Sequence, residues 1–441
     1  MFLYQKFEYD VRNITLETFE TFKAMYENDP PKNYSTFDTE TNGLHTMTAK
    51  PFLYTFGYTA QSGTKVAFWF EPTKELVEKF VELTSNRNIC KRLFAHNCKF
   101  DYHMTWNILD RCPIEWDTVM ADGLTIARLT SFADNEHKKI NLETLGVDFV
   151  DENAKFAGKV IKSRISALNK ERKDRVKALF YKKYGSRAKF SEAWVNFNRM
   201  TPYIDDNTEY NIFFKENYIE ANYYDVYKLD PDLMVSYAID DVVILNEYLA
   251  KALKSLMIVD PKLKIFNTEC QLISAIARME KTGMKVDLDY TLESRVKLSK
   301  EINLKYDRLK ELTGREFSIG QHKLIKELFL TKWGIKLEKV DSKLLKNISE
   351  PQDAAEAAAL ISRLRTLEKY MTTYIDGKLK QMVNGRIYPT VNNSGTVSGR
   401  VSSNMQQQPK KALYYDDGET VLFHTRKMFI TDDDYVFVFE D

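Results

Sequence analysis

The 441-residue chain is 44% hydrophobic and 29% charged, a globular balance that excludes wholesale disorder. Its 64 basic and 63 acidic residues leave a net charge of +1, which by itself points to no partner, and 16 Gly with 11 Pro exclude collagen-like and linker-rich architectures. No apolar run nears the roughly 20 residues that span a bilayer, and the N-terminus MFLYQKFEYDVRN lacks the basic-then-apolar order of a signal peptide. Cys90, Cys98, Cys112 and Cys270 show no C-x-x-C spacing, which reads as a reducing compartment without a zinc site. The expectation is a cytoplasmic protein with no membrane partner and about two to four domains.

In chain order, residues 34–37, 52–59 and 65–70 read as strands separated by Gly-bearing turns, and 75–83 as a helix. Asp38 and Glu40 stand two apart at the end of the first strand, so both side chains share a face. Two carboxylates so placed repel unless a cation neutralises them, and Mg²⁺ prefers such oxygen donors. Taken alone, D-x-E reads as a solvated strand end. Residues 93–95 form a short apolar strand, followed by a helical pattern from about 99 to 109 that carries Asp101 in its first turn. A strand end meeting a helix start is where α/β sheets place ligands, although a carboxylate there also answers the helix dipole.

From 155 to 189 the chain carries 13 cations against Glu171 and Asp174, a net +11 that leaves the remainder at −10. Ile161, Ile165, Leu168, Val176 and Leu179 recur at roughly helical spacing, which predicts one or two amphipathic helices. Cations this one-sided, including Lys170, Arg172, Lys173 and Arg175, suit phosphate, with a solvated face as the alternative. Residues 235–253 form a helix with Val242, Leu245 and Leu249 on one face, and Tyr237 and Asp241 stand at i and i+4 on it. A second helix over 262–283 ends at Gly283.

Beyond it, 290–312 and 354–382 read as long helices, Ser318 with Gln321 as a capping-box-like helix start, and 435–439 as an apolar strand. Residues 386–411 are free of acids and rich in Ser, Asn, Gln and Gly. They should form a loop or short hairpin suited to nucleic-acid backbone contacts. The principal boundary is expected near 255–262.

The order D-x-E (Asp38, Glu40), N-x-x-x-D (Asn97, Asp101), Y-x-x-x-D (Tyr237, Asp241) resembles the DnaQ-like 3′–5′ exonucleases with a tyrosine in the last motif. The resemblance implies an RNase H-like fold in which Asp38, Glu40, Asp101 and Asp241 hold two Mg²⁺ or Mn²⁺ ions. One ion activates a water that Tyr237 positions, and the other stabilises the leaving 3′ oxygen. It also implies that Leu44, Asn97 and Phe100 meet the single-stranded 3′ end. His103 stands outside the motif and reads as a partly buried helix residue. The second half resembles family A DNA polymerases. Arg278-Met279-Glu280 through Asp287, Arg365 to Tyr374, Gly385 to Tyr388, Ser398 to Ser403 with Gln406 and Pro409, and Arg426 with Phe429 carry the likeness. Ser398 stands where the family has Thr, and Gln407-Gln408 replace Asn-Ile. Arg400, Ser402 and Gln406 are thereby implied in primer–template contact, and Asp441 as the first metal-binding palm aspartate. The fingers helix and the second palm aspartate have no counterpart here.

The fold expected is therefore α/β. Residues 1–255 would form an RNase H-like exonuclease domain with a basic helical insertion at about 155–220. Residues 256–441 would form a mostly helical thumb and partial palm. The function expected is the proofreading and DNA-gripping part of a phage-like family A DNA polymerase in DNA replication. Its partners would be primer–template DNA, single-stranded 3′ ends and a complementary C-terminal fragment that supplies the rest of the palm. A free-standing exonuclease of DNA or RNA and a catalytically inactive DNA-binding fragment are the alternatives.

Overall fold

A computed structural model describes residues 2–133, 140–185, 187–199, 209–393, 396 and 398–437. The chain is mixed α/β and divides into two compact units. Met1–Arg199, Asp206–Thr282 and Thr390–Asn404 make the first, and the second is built mainly from Gly283–Pro389 and Met405–Asp441. The break falls after Thr282 rather than near 255–262.

The first unit opens with α1 (Leu3–Lys6), β1 (Asp10–Asn13) and α2 (Phe19–Asn28). An antiparallel meander of β2 (Pro31–Thr41), β3 (Pro51–Ala60) and β4 (Lys65–Phe70) follows, then α3 (Lys74–Ser85), β5 (Leu93–Ala95), α4 (Cys98–Leu109) and β6 (Met120–Asp122). The six strands lie in the order β1-β4-β3-β2-β5-β6, with β5 parallel to β2 and β6 parallel to β5. Eight of the ten β3 residues are buried, the signature of a strand covered on both faces. The core is aromatic: the Phe22 and Phe68 rings lie 4.8 Å apart and Phe37 and Trp116 5.2 Å apart, pairs that add about 0.5–1.5 kcal/mol each beyond burial.

Helices α5 (Gly123–Ala133) and α6 (Leu142–Phe149) lead to the basic segment, which is one 29-residue helix, α7 (Phe156–Tyr184), closed by Gly185 in the left-handed region. It packs through Ile161, Val176 and Phe180, whereas Leu179 is exposed, because the apolar side turns with the true helical repeat and selects Phe180. Helices α8 (Arg187–Arg199) and α9 (Glu209–Asn217) gather Phe190, Trp194, Phe213 and Phe214 around Phe180. Helix α10 (Tyr223–Leu229) precedes α11 (Pro231–Val259), which lies against β2 and β3 and covers the sheet. Helix α6 approaches α11 closely enough that a Cβ on Gly146 would fall 2.9 Å from Ile244. Helix α12 (Lys264–Thr282) completes the series. Gly283 follows at φ +62°, the backbone a helix stop requires.

In the second unit β7 (Met284–Val286) is followed by α13 (Leu288–Thr313), α14 (His322–Trp333), α15 (Ser342–Lys346) and α16 (Gln352–Lys369). The last continues as a π-helical stretch, Tyr370–Asp376, into α17 (Gly377–Gln381). Gln321, not Ser318, is the residue before α14: the Ser318 N–H donates to Gln321 Oε1 at 3.3 Å, but no side chain caps the helix. Strands β8 (Met382–Val383) and β9 (Arg386–Ile387) join β7 in a small sheet. The chain returns to the first unit as the hairpin β10 (Val391–Asn392) and β11 (Ser402–Ser403), then forms β12 (Leu413–Tyr414), β13 (Val421–Phe423) and β14 (Phe429–Ile430) in the second. The strand expected over 435–439 is not formed at 435–437, where Tyr435 and Val436 are 73% and 82% exposed and pair with no strand among the described residues. Residues 438–441, Asp441 among them, lie outside the described residues. Among the described residues no helix is long and apolar enough to cross a membrane.

Candidate active site

Asp38 and Glu40 alternate along β2 opposite Thr55 and Leu53 of β3, so the pleat turns both to one face. Helix α11 crosses that face and contributes Asp241. Carboxylate oxygens of Asp38, Glu40 and Asp241 lie within 4.8 Å of one another. They line a cleft of about 480 Å³ with Leu44, Phe100, Tyr223 and Tyr237. Asp101 is not one of this trio. It is buried in the first turn of α4 and accepts a hydrogen bond from Thr39 Oγ1 at 2.7 Å. Thr39 is the central residue of D-x-E, so this contact fastens the second motif to the first.

The electrostatics are those of acids held together against their preference. Burial raises the carboxyls of Asp38, Glu40 and Asp241 well above their ordinary range, and mutual repulsion raises them further. Burial also pushes Asp101 up to about 7 despite the Thr39 hydrogen bond. Three clustered carboxylates, with Asp101 buried beside them and no Lys or Arg among their principal partners, fit a hard divalent cation in chemistry and charge. Tyr237 stands one turn before Asp241 on α11 and lines the same cleft, as the i, i+4 spacing requires.

The remaining sequence-derived residues are placed unevenly. Leu44 is 87% exposed at the cleft mouth and Phe100 is half-buried in its wall. Asn97 does not line the cleft; it precedes α4 in the left-handed region at φ +67°. Its N–H and that of Cys98 donate to Asp122 Oδ1 at 2.8 and 3.2 Å. His103 is fully buried, not partly, and hydrogen-bonds through Nε2 to Glu280 at 2.8 Å. Arg172 is an internal tie: it pairs with Asp225 at 2.7 Å and donates to the Ile219 carbonyl. Lys173 lies 4.8 Å from the Trp194 ring centroid, while Lys170 and Arg175 are exposed. Arg400 is exposed, with its carbonyl accepting from Thr396 Oγ1, and Ser402 pairs with Asn392. Gln406 is exposed in the second unit.

Sequence reasoning missed Tyr223 and Asp122, and met Glu280 only as part of the Arg278-to-Asp287 likeness, without its place between α12, α4 and the β10–β11 hairpin. Tyr223 lines the cleft, and its ring centroid is 6.0 Å from that of Tyr237. Asp122 holds the start of α4 and also accepts from the Thr125 N–H and hydroxyl at the start of α5. Only Tyr223 had a local signal: Asn222-x-x-Asp225 is a reciprocal capping box that starts α10 beside the cleft.

Residues 289–441 match the model of DNA polymerase family A. DNA polymerase I of Caldicellulosiruptor bescii is 29% identical over 188 residues, 40% of this chain and 21% of that protein. DNA polymerase DpoZ of Vibrio phage phiVC8 is 27% identical over 172 residues, 34% of this chain and 26% of the phage protein. The matches thus span only a fifth to a quarter of those relatives' length. A solved structure described as the POL domain of Pol1 from M. smegmatis in complex with DNA primer-template and dNTP aligns over 97% of this chain and 59% of its own. Its TM-score is 0.56 at 13% identity, a likeness of fold. Residues 289–441 are thus a DNA polymerase family A region, carried in a chain of mixed α/β fold.

Proposed function

We propose that the first unit is an RNase H-like 3′–5′ exonuclease, and that the whole chain is the proofreading and DNA-gripping part of a family A DNA polymerase in DNA replication. The observation that carries this reading is the approach of Asp38, Glu40 and Asp241 to within 4.8 Å, with Tyr237 lining the same cleft. Asp38, Glu40, Asp101 and Asp241 would hold Mg²⁺ or Mn²⁺. Bound there, the ions supply an activated water and charge stabilisation at the leaving oxygen. Tyr237 orients the attacking water through its hydroxyl. Leu44 and Phe100 offer apolar contact to the terminal base, and the cleft admits a single strand. The match of residues 289–441 to DNA polymerase family A supports a grip on primer–template DNA, with Arg400, Ser402 and Gln406 as contacts. Nucleotide addition would need a second palm aspartate and a fingers helix acting with Asp441. The 1–255 and 256–441 division becomes, in this reading, a nuclease unit that also keeps α12 and the β10–β11 hairpin.

The test is a 5′-labelled single-stranded oligodeoxynucleotide with Mg²⁺ or Mn²⁺. The chain should shorten it from the 3′ end. Asp241→Ala should lower the rate about 10³-fold, whereas Tyr237→Phe should cost about 10–100-fold, because a carboxylate holds charge and a hydroxyl only orients. Equal losses in the two variants would give the tyrosine another role.

The exposed cations of α7 make a second expectation. Neutralising Lys170 and Arg175 should reduce the salt dependence of DNA binding, by about one unit of slope for each phosphate that is no longer paired with a cation. An unchanged slope would leave them as a solvated face.

A further inference from the structure

Strand β2 runs on into a loop, residues 42–50, whose two limbs face different clefts. Asn42, Gly43 and Leu44 line the carboxylate cleft. Met47 to Lys50 line a second cleft of about 320 Å³, with Trp106, Asn107 and Lys281. The loop is closed on itself. At its base the Lys50 N–H donates to Asn42 Oδ1 at 2.8 Å, and the Asn42 N–H donates to the Lys50 carbonyl at 3.1 Å. At its bend the His45 carbonyl accepts from the Ala49 N–H at 2.8 Å and from the Thr48 N–H at 3.1 Å. A loop tied in this way moves as one piece, so a hold on its second limb also places Leu44 on the first. Leu44 is exposed, so its position depends on the backbone rather than on packing.

That hold comes from Asn107 of α4. Its Nδ2 donates to the Thr46 and Ala49 carbonyls, both at 2.9 Å. Its Oδ1 accepts from Nζ of Lys281, in the last turn of α12, and the same Nζ lies 5.4 Å from the Trp106 ring centroid. The amide fits only this way round: reversed, its oxygen would face two carbonyl oxygens and its NH₂ an ammonium. Asn107 follows Phe100 by seven residues on α4, which places both on one face of the helix. One helix therefore presents Phe100 to the cleft directly and holds Leu44 through the loop.

We infer that Asn107 is a positioning residue of the nuclease cleft, supported by Lys281, and that the pair sets where Leu44 stands relative to Phe100. This rests on the nuclease reading above and deepens it, by linking α12 to a substrate contact. Neither the carboxylate motifs nor the match of residues 289–441 covers Asn107 or Lys281.

The experiment compares Asn107→Ala, Asn107→Asp, Lys281→Met and Lys281→Arg in the full chain, with Asn107→Ala also placed in a Leu44→Ala background. Asn107→Asp keeps an acceptor for Lys281 and loses both donors to the loop. The readouts are kcat and KM on a single-stranded oligodeoxynucleotide with Mg²⁺, and amide hydrogen exchange over residues 42–50. Both Asn107 variants should raise KM about five- to tenfold and leave kcat within about twofold, because the loop serves binding and not the chemical step. Exchange over 42–50 should quicken by about tenfold or more in the same variants. In the Leu44→Ala background, Asn107→Ala should change KM by less than about twofold, since its route of action is gone. Lys281→Met should move both readouts in the same direction by less, and Lys281→Arg, which still donates to the amide, should restore them. Thermal unfolding checks that each variant is folded at the assay temperature. Parental KM in both Asn107 variants, or an Asn107 effect undiminished by Leu44→Ala, would overturn the role. Failure of the parent chain to degrade DNA in a manner dependent on Asp38 and Glu40 is a different result. It removes the nuclease reading itself, while exchange still reports the hold of Asn107 on the loop.

Discussion

Replacing Asp38 and Glu40 together by alanine should lower 3′-end degradation by about 10³-fold or more, without weakening the metal-free fold. The two acids sit in buried surroundings with Asp101 and Asp241 as neighbours, and each is held above its ordinary carboxyl range. Such groups bind more protons folded than unfolded. Their favourable contribution is complete below the unfolded pKa near 4 and is lost as pH rises through the elevated folded values, about 7 for Asp101. Metal-free protein should therefore gain stability as pH falls from 7 towards 5, and the double variant should gain less. Mg²⁺ or Mn²⁺ should raise the unfolding temperature of the parent chain, by the equivalent of about 2.7 kcal/mol at a hundredfold excess over Kd. Parental nuclease activity in the variant, or an equal metal-induced shift in both proteins, would remove the carboxylates from the centre.

Glu280→Ala should be the most damaging single change to stability in the first unit, at about 3–5 kcal/mol. Glu280 is 2% exposed on α12, where it accepts from Lys99 and from His103, both on α4, and from the Val391 N–H at 2.5 Å. Burial alone would raise its pKa, but these partners outweigh burial and hold it below the ordinary range. Its contribution is therefore present above the unfolded value near 4.5 and disappears as pH falls through the lower folded one. Burial keeps the His103 imidazole neutral, so Lys99 carries the charge that Glu280→Ala would strand. Urea unfolding measures the loss. The paired change Lys99→Met with Glu280→Met should restore much of it, because an apolar pair replaces a buried ionic one at little net cost. A loss below about 1 kcal/mol in Glu280→Ala would mean that water replaces the carboxylate.

The comparison of sequence with structure divides by range. Asp38, Glu40 and the Tyr237–Asp241 pair were legible because strand and helix periods decide which side chains share a face. The limits of β5 and the glycine stop at Gly283 were legible for the same local reason. Asp101 was found by motif, yet its hydrogen bond to Thr39 depends on how α4 meets β2 and has no local trace. Arg172 counts as one more cation in a charge tally, and only the fold shows it bound to Asp225. Ser318 mimics a capping box, but the residue before α14 is Gln321. Residues 435–437 have strand composition without a partner strand among the described residues. Glu280 and Val391, 111 residues apart, meet through tertiary structure alone.

The small sheet of the second unit has a mechanical consequence for the first. Gly283–Pro389 interrupts the first unit between α12 and the β10–β11 hairpin, and β7 pairs with β9 at Met284–Ile387 and Lys285–Arg386. The two ends of the interruption are thereby clasped side by side, and the first unit sees a short closed connection. Were the clasp to open, the few residues on either side of it would become slack linkers, with a closure cost that grows with their length. The hairpin that presents the Val391 N–H to Glu280 would then be held by looser connections. A substitution that melts β7 and β9 should therefore loosen the anchorage of α4, the helix that carries Asp101, without touching any residue of the first unit.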